Sequence, residues 1–166
     1  MVKHTLVPTQ AIPQESIDMY SLHLRQVSII INDYLLKYLN SLYAEFNGDL
    51  VMAIVLGELA HHNISGLYLD QAAMRSIASK HVQFDDIKHQ LRPGNPFSIS
   101  EATGIPRETV RRKFTDLVKE GMVEKIKPKS YVITARVSER FIHSFNLQLF
   151  EETNRLCSKI NAIINT

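Results

Sequence analysis

The sequence predicts a mainly α-helical fold that contains one two-stranded β-hairpin. Residues 98–121 have the pattern of a helix, a tight turn and a second helix, and residues 122–134 alternate as a hairpin does. On both sides of this segment, apolar residues recur at steps of three and four over long stretches. We therefore expect long N-terminal and C-terminal helices to flank a helix–turn–helix–hairpin unit.

The first helix of this unit carries its own start and stop signals. Ser98 and Glu101 match the S-x-x-E capping box, so we expect the helix to begin at Ile99. Gly104 is able to adopt the left-handed conformation that ends a helix. Pro106 then suits the start of the next helix, where a backbone N–H has no partner.

The second helix, residues 107–120, is predicted to be amphipathic. Its apolar face is expected to hold Val110, Phe114, Leu117 and Val118. Basic residues lie mostly off that face, in the first two turns. A short helix that supports a longer one, with basic residues at its start, is how many proteins offer side chains to the major groove of DNA.

A hairpin is predicted directly after the second helix. Gly121 ends that helix, residues 122–126 form a strand, residues 127–130 a turn, and residues 131–134 the return strand.

Residues 98–134 resemble the winged helix-turn-helix domain of bacterial transcription regulators, particularly the GntR and Crp types. In those families a hairpin, the wing, follows the helix that reads DNA. The residues that carry the resemblance are Ala102, Gly104, Ile105, Pro106, Arg107, Thr109, Val110, Arg112, Leu117, Gly121, Met122 and Val123. The resemblance implies a winged-helix fold and double-stranded DNA as the partner.

Charge supports this interpretation locally. The net charge of the whole chain is only +2, whereas residues 98–130 hold an excess of basic residues. We predict that one set of side chains contacts DNA from the helix and another from the hairpin. The helix set is Arg107, Glu108, Thr109, Arg111, Arg112 and Lys113, and the hairpin set is Lys125, Lys127 and Lys129.

These contacts have separate expected roles. Arg107, Glu108 and Arg112 are predicted to read bases, with a phosphate as the alternative partner of Arg112. Thr109 and Arg111 are predicted to bind phosphates. Ordinary interpretations stay open: the arginines as surface charge, Thr109 bonded to its own helix, and Glu108 placed to favour the helix dipole. The hairpin lysines are also the usual protection of an exposed strand edge.

The flanking segments predict a dimer. Residues 1–14 are expected to be a flexible arm and residues 15–47 one long helix, uninterrupted by glycine or proline. A heptad-like seam, which we interpret as a dimerisation seam, runs along that helix through Ile17, Tyr20, Leu24, Val27, Ile31, Tyr34 and Tyr38. A core helix that packs on its own domain is the alternative. A last helix, within residues 137–166 and beginning near Ser138, is expected to pack on the first or on a dimer partner.

The winged domain is predicted to span residues 48–136. Asp49 is a suitable N-cap for a helix from Leu50 to about His61. An insert at about 64–97 separates that helix from Ser98, with weak helical patterns at 70–79 and 84–91 and a turn at 93–96. The role of the insert stays open.

Composition argues against several other classes. The single cysteine, Cys157, excludes an intrachain disulfide and a cysteine-cluster zinc site. Residues 1–14 lack the apolar core of a secretory signal, and no uncharged apolar run approaches the roughly 20 residues that cross a bilayer. We expect a cytoplasmic protein without a membrane segment.

No catalytic or metal-binding pattern is present. His61 and His62 are adjacent, and His81 and His89 lie far apart, so none matches a zinc-binding frame. There is no nucleophile elbow, phosphate-binding glycine loop or kinase signature. We expect no enzymatic activity, cofactor or metal.

The sequence therefore predicts a homodimeric, sequence-specific DNA-binding transcription regulator. A winged-helix adaptor that binds only proteins is the main alternative, and a helical structural subunit is a third. The operator, the sign of regulation and any small-molecule effector are not specified by the sequence.

Overall fold

The structure is a computed structural model that describes residues 13–68, 84–141 and 145–165. Its elements in chain order are α1 (Gln14–Leu22), α2 (Leu24–Glu45), α3 (Leu50–Tyr68), α4 (Phe84–Ile87), α5 (Pro96–Thr103), α6 (Arg107–Lys119), β1 (Val123–Lys127), β2 (Ser130–Ile133), α7 (Ala135–Arg140) and α8 (Asn146–Ile164). The fold is mainly α with one two-stranded antiparallel hairpin, as the sequence predicts.

The chain divides into two compact units. The helical unit holds α1, α2 and α8, and the second unit begins at Asp49 and ends at His143.

The predicted single helix over residues 15–47 is two helices. His23 separates α1 from α2 because its backbone, at φ −109° and ψ 14°, leaves the helical region. The hydrogen bonds from the His23 N–H to Met19 O and from the Val27 N–H to His23 O keep the interruption to one residue. Without a glycine or proline at this point, the sequence does not mark the break.

Within the helical unit, α8 packs against α2. The hydroxyl groups of Tyr34 and Thr153 are hydrogen-bonded at 3.0 Å, and the rings of Tyr38 and Phe145 lie 6.2 Å apart, centroid to centroid. Val27 is buried. Part of the seam that the sequence assigns to dimerisation is therefore occupied within the chain.

The second unit is built around α3. Asp49 caps this helix as predicted, because its Oδ1 accepts a hydrogen bond of 2.9 Å from the Met52 N–H. The helix continues to Tyr68, well past the predicted end at His61, and Leu67 in the added turn is buried. The beginning of the predicted insert is thus the end of α3.

The length and apolar character of α3 also satisfy the criteria for a membrane span. Within the described residues, the segment Leu50–Leu67 is the one helical stretch that meets them, although the sequence was expected to hold no such segment. Core helices of globular proteins pass the same test. Here α3 packs against α5, α6 and β2, and it carries fully buried Val55 and Leu59.

A buried asparagine at position 63 joins α3 to the rest of the unit. Asn63 Nδ2 donates to Arg92 O at 2.7 Å, and Asn63 Oδ1 accepts from the Ile133 N–H at 2.9 Å. The Arg92 N–H also donates to the backbone oxygen of Asn63 at 2.9 Å. One side chain thereby holds a helix, the segment before α5 and strand β2 together.

The described part of the insert contributes a bridge to the hairpin. After α4 and a 3₁₀ turn at Lys88–Gln90, the chain is extended, and Gly94 and Tyr131 exchange two backbone hydrogen bonds of 2.9 Å. The predicted turn at 93–96 is therefore wrong. A Cβ atom at Gly94 would lie 2.6 Å from Cδ1 of the buried Leu59, so a larger residue here requires that side chain to shift. The helix predicted at 70–79 lies outside the described residues.

The start of α5 differs from the prediction. Asn95, not Ser98, is the N-cap: its Oδ1 accepts from the Ser98 N–H at 3.0 Å, and Ser98 Oγ accepts from the Asn95 N–H at 3.2 Å. Pro96 occupies the first helical position. The capping box proposed for Ser98 and Glu101 is wrong, because asparagine is an equally good cap and the proline places the helix start at 96.

The turn and hairpin follow the predicted order. Gly104 and Gly121 both adopt left-handed conformations, each with φ of 71°, at the ends of α5 and α6. Strands β1 and β2 pair in an antiparallel register that brings Val123 opposite Ile133 and Lys125 opposite Tyr131, with an irregularity before Lys127.

The C-terminal helical region begins earlier than the predicted Ser138. The described helices there are α7, from Ala135, and α8, from Asn146. The residues between Phe141 and Phe145 lie outside the described part.

We expect the substitution Asn63→Ala to destabilise the second unit. It leaves the Arg92 carbonyl and the buried Ile133 N–H without this partner, and the loss at a buried group costs about 1–3 kcal/mol. Urea denaturation monitored by circular dichroism measures the change. Asn161→Ala, at an exposed position of α8, is the matched control. A free energy of unfolding for Asn63→Ala equal to that of the control would contradict the role assigned to Asn63.

Candidate nucleic-acid interface

Helix α6 has one fully buried face. Val110, Phe114 and Leu117 are at most 1% exposed. Val118, which the sequence places on this face, is 38% exposed, because it lies about 100° around the helix from Leu117. The buried residues hold α6 against α3, α5 and β1.

An aromatic contact connects α6 to the hairpin. The rings of Phe114 and Tyr131 lie 4.7 Å apart at an interplanar angle of 58°, a favourable tilted arrangement. Tyr131 also carries the bridge to Gly94. The face of α6 that is directed away from the core is therefore set in a defined orientation to the hairpin.

The opposite face of α6 is exposed and mostly basic. Arg107, Glu108, Arg111 and Arg112 follow one another at helical spacing, and all four are exposed. Thr109 is half-buried at the edge of this face. The structure thus brings together the predicted contact residues of the first two turns, with Lys113 as the exception.

Two of these residues pair with each other. Arg111 Nε and Nη2 donate to the two carboxylate oxygens of Glu108 at 2.9 and 2.6 Å. The hydrogen bond from Arg111 lowers the pKa of Glu108 and raises that of Arg111. Glu108 therefore remains charged, and its negative charge offsets the positive charge of one of the three arginines.

The other two arginines are differently placed. The guanidinium group of Arg107 lies 5.8 Å from the centroid of the Phe97 ring, within cation–π range. Phe97 is 55% exposed and belongs to the first turn of α5. Among the described residues, Arg112 has no hydrogen-bond or ion-pair partner. Phe97 is not among the predicted site residues, although an aromatic residue directly after the helix-starting proline is visible in the sequence.

Lys113 is directed toward the core side of the helix. Its ammonium group forms an ion pair with Asp49, and its side chain is only 13% exposed. The lysine predicted to contact DNA thus ties α6 to the N-cap of α3.

Asp49 is affected by this contact. Partial burial, the largest single influence, raises the pKa of Asp49, but several effects outweigh it. Hydrogen bonds from Lys113 and from the Met52 N–H, with the charges of Lys113 and Arg112, hold the pKa below its ordinary value of 3.8.

The hairpin presents the three predicted lysines to solvent. Lys125, Lys127 and Lys129 are all exposed, and in the described part of the chain none of them has an ion-pair partner. Lys129 occupies the turn with a φ of 63°. The acidic residue of β1, Glu124, is paired with Lys88 at 2.6 Å, which leaves the lysines as the available charges of the hairpin.

In the ranges that the structure describes, no group of three or more His, Cys, Asp or Glu side chains is arranged to hold a metal ion. No protein-family model, no curated protein and no solved structure matches the chain.

We expect Asp49 to make stability depend on pH. An acid whose pKa is lower in the folded chain stabilises the fold above its unfolded pKa, and this contribution is lost as the pH falls through the folded value. Wild-type protein should therefore lose more stability between about pH 6 and pH 3 than Asp49→Asn, which keeps an N-cap but cannot ionise. Urea denaturation at several pH values measures this difference.

A second variant separates the cap from the charge. Asp49→Ala removes both the cap and the charge. Its free energy of unfolding should therefore be about 1 kcal/mol lower than that of Asp49→Asn at neutral pH. If the free energy of unfolding changes with pH in the same way for the wild type and Asp49→Asn, the ion pair with Lys113 contributes nothing to stability.

Proposed function

We propose that the protein is a sequence-specific regulator of transcription that binds double-stranded DNA through a winged helix-turn-helix domain. In this proposal α6 enters the major groove, and the hairpin of β1 and β2 is the wing. The protein acts in the cytoplasm, has no enzymatic activity and requires no cofactor.

The order and packing of the second unit support a winged helix. Helix α3 is followed by the bridging segment at Gly94, then by α5, α6 and the hairpin, and α3 packs on all three of the later elements. This order is the one expected of a winged helix-turn-helix domain, in keeping with the resemblance of residues 98–134.

The observation that carries the proposal is the division of α6 into two faces. Its apolar face is completely buried, so the exposed face is not needed for folding. That exposed face carries Arg107, Arg111 and Arg112 in the first two turns, where side chains of a recognition helix enter the groove.

The three arginines of α6 have different roles in this proposal. Arg112 and Arg107 have no carboxylate partner among the described residues, so each is available for the two acceptors of guanine in the major groove. Arg111, already held by Glu108, is suited to a phosphate, while the wing lysines add further phosphate contacts.

A single winged domain reads only a few base pairs, which is too little to specify one genomic site. The proposal therefore includes a homodimer with a two-fold axis, whose recognition helices meet successive major grooves about 34 Å apart.

We expect salt-dependent binding to any duplex, measured by fluorescence anisotropy with random DNA at several salt concentrations. The double variant Lys127→Ala and Lys129→Asn should reduce the slope of log K against log salt by about 0.9 for each phosphate that the variant no longer binds. Asparagine is chosen at position 129 because it tolerates the left-handed backbone there. Lys159→Ala, exposed on α8, is the control.

The outcomes of this experiment distinguish a DNA-binding protein from an adaptor that binds only proteins. No affinity for duplex DNA at low salt would contradict DNA binding and favour the protein adaptor. Binding with an unchanged salt slope in the wing variant would remove the hairpin from the interface while leaving α6 in it.

We expect Arg112→Ala to relax sequence discrimination. If its contact with guanine is bidentate, the loss is about 1–3 kcal/mol at one base position. A preferred site is first selected from randomised duplexes, and its single-base variants are then compared for wild type, Arg112→Ala and the control Arg155→Ala on α8. An equal loss of affinity for every variant would reassign Arg112 to a phosphate.

A further inference from the structure

Helix α2 carries a second seam on the face opposite the one that packs against α8. We call it the outer seam, and it consists of Arg25, Ile29, Asn32, Leu36, Leu39 and Tyr43. These positions alternate in steps of four and three, which is the spacing that packs one helix along another. At 100° per residue they lie about 180° from Val27, Tyr34 and Tyr38.

The four hydrophobic residues of the outer seam are exposed. Ile29 is 69% exposed, Leu36 61%, Tyr43 57% and Leu39 47%, whereas Val27 on the inner side is 6% exposed. The inner side is covered by α8, through the contacts of Tyr34 and Tyr38. Among the described residues of the helical unit, α8 thus covers one seam of α2 and no helix covers the other.

The surroundings of the outer seam contain almost no charge. Between Arg25 and Glu45, the only charged residues are Asp33 and Lys37, and these form an ion pair at 2.9 Å. A solvent-facing surface normally has a quarter or more charged residues. The outer seam therefore has the composition of an interface.

We propose that a second copy of this chain packs on the outer seam, with α2 lying against α2 in an antiparallel pair. A neutral surface gives no attraction to nucleic acid, acidic peptides or anionic lipid. An identical surface meets it without net repulsion as long as the two Arg25 side chains are kept apart, and a seam with heptad spacing is complementary to a copy of itself.

The polar residues of the seam set the direction. In a parallel pair the two Arg25 side chains would face each other and repel. In the antiparallel pair Ile29 meets Leu39 of the second copy, and Arg25 lies beside Tyr43 of the second copy, where a guanidinium group over an aromatic ring is favourable. In this antiparallel register Asn32 lies opposite Leu36 of the second copy, and a single polar seam residue specifies one alignment at some cost in stability.

This pairing supplies the dimer that the proposed function includes, but it is tested without DNA. Light scattering coupled to gel filtration should give about 38 kDa for the wild type at tens of micromolar, twice the 19.0 kDa of one chain. The variant Ile29→Asp with Leu36→Asp should give the mass of one chain with unchanged far-ultraviolet circular dichroism, because both side chains are exposed in the single chain.

Two control variants identify the face. Gln26→Asp, exposed on the same helix but outside the seam, should remain dimeric. Val27→Asp should lower the melting temperature, because it places a charge at a buried position. The proposal would be overturned if the wild type had the mass of one chain. It would also be overturned if the variant with Ile29 and Leu36 replaced remained a dimer.

Disulfide crosslinking tests the direction in a background in which exposed Cys157 is replaced by serine. Ile29→Cys together with Leu39→Cys should crosslink the dimer under oxidising conditions, and Ile29→Cys alone should not. Crosslinking by the single cysteine would overturn the antiparallel arrangement. Loss of DNA binding in a variant that stays dimeric would instead concern the proposed function alone.

Discussion

The second unit depends on the hydrogen bonds of the buried Asn63 side chain. A short β-bridge and a two-strand hairpin have few backbone partners of their own, and a fully buried amide that serves both Arg92 and Ile133 supplies what they lack. Because the bridge at Gly94 and the ring of Tyr131 are positioned by the same strand, the orientation of the hairpin relative to α6 follows from this connection. The position of the hairpin beside the exposed face of α6 thus depends on polar contacts in the interior.

Local signals made much of the fold predictable. Gly104 and Gly121 have few conformational substitutes, Asp49 precedes an apolar helix, and the buried face of α6 has clear helical spacing. The same kind of signal was ambiguous where two good caps lie close together, so that Ser98 matches the capping pattern although Asn95 is the cap. The break at His23 has no local signal at all.

Contacts between distant residues set the limit of prediction for the candidate site. The exposed positions of Arg107, Arg111 and Arg112 follow from spacing alone, but the ion pair of Lys113 with Asp49 joins residues far apart in the sequence. The sequence likewise showed a heptad-like seam on α2 without showing whether the last helix or a second copy of the chain would cover it. Periodicity reveals that a face is apolar, and only packing reveals its partner.

The two ends of α3 are tied to different elements: Asp49 at its start to α6, and Asn63 near its end to β2. The length of α3 therefore fixes the distance between its contact with α6 and its contact with the hairpin. Inserting a single residue between positions 49 and 63 would rotate the amide of Asn63 by about 100° and move it about 1.5 Å along the axis, away from both of its partners. Amino-acid replacements on the exposed side of this helix are consequently far easier to accommodate over evolutionary time than any change in its length.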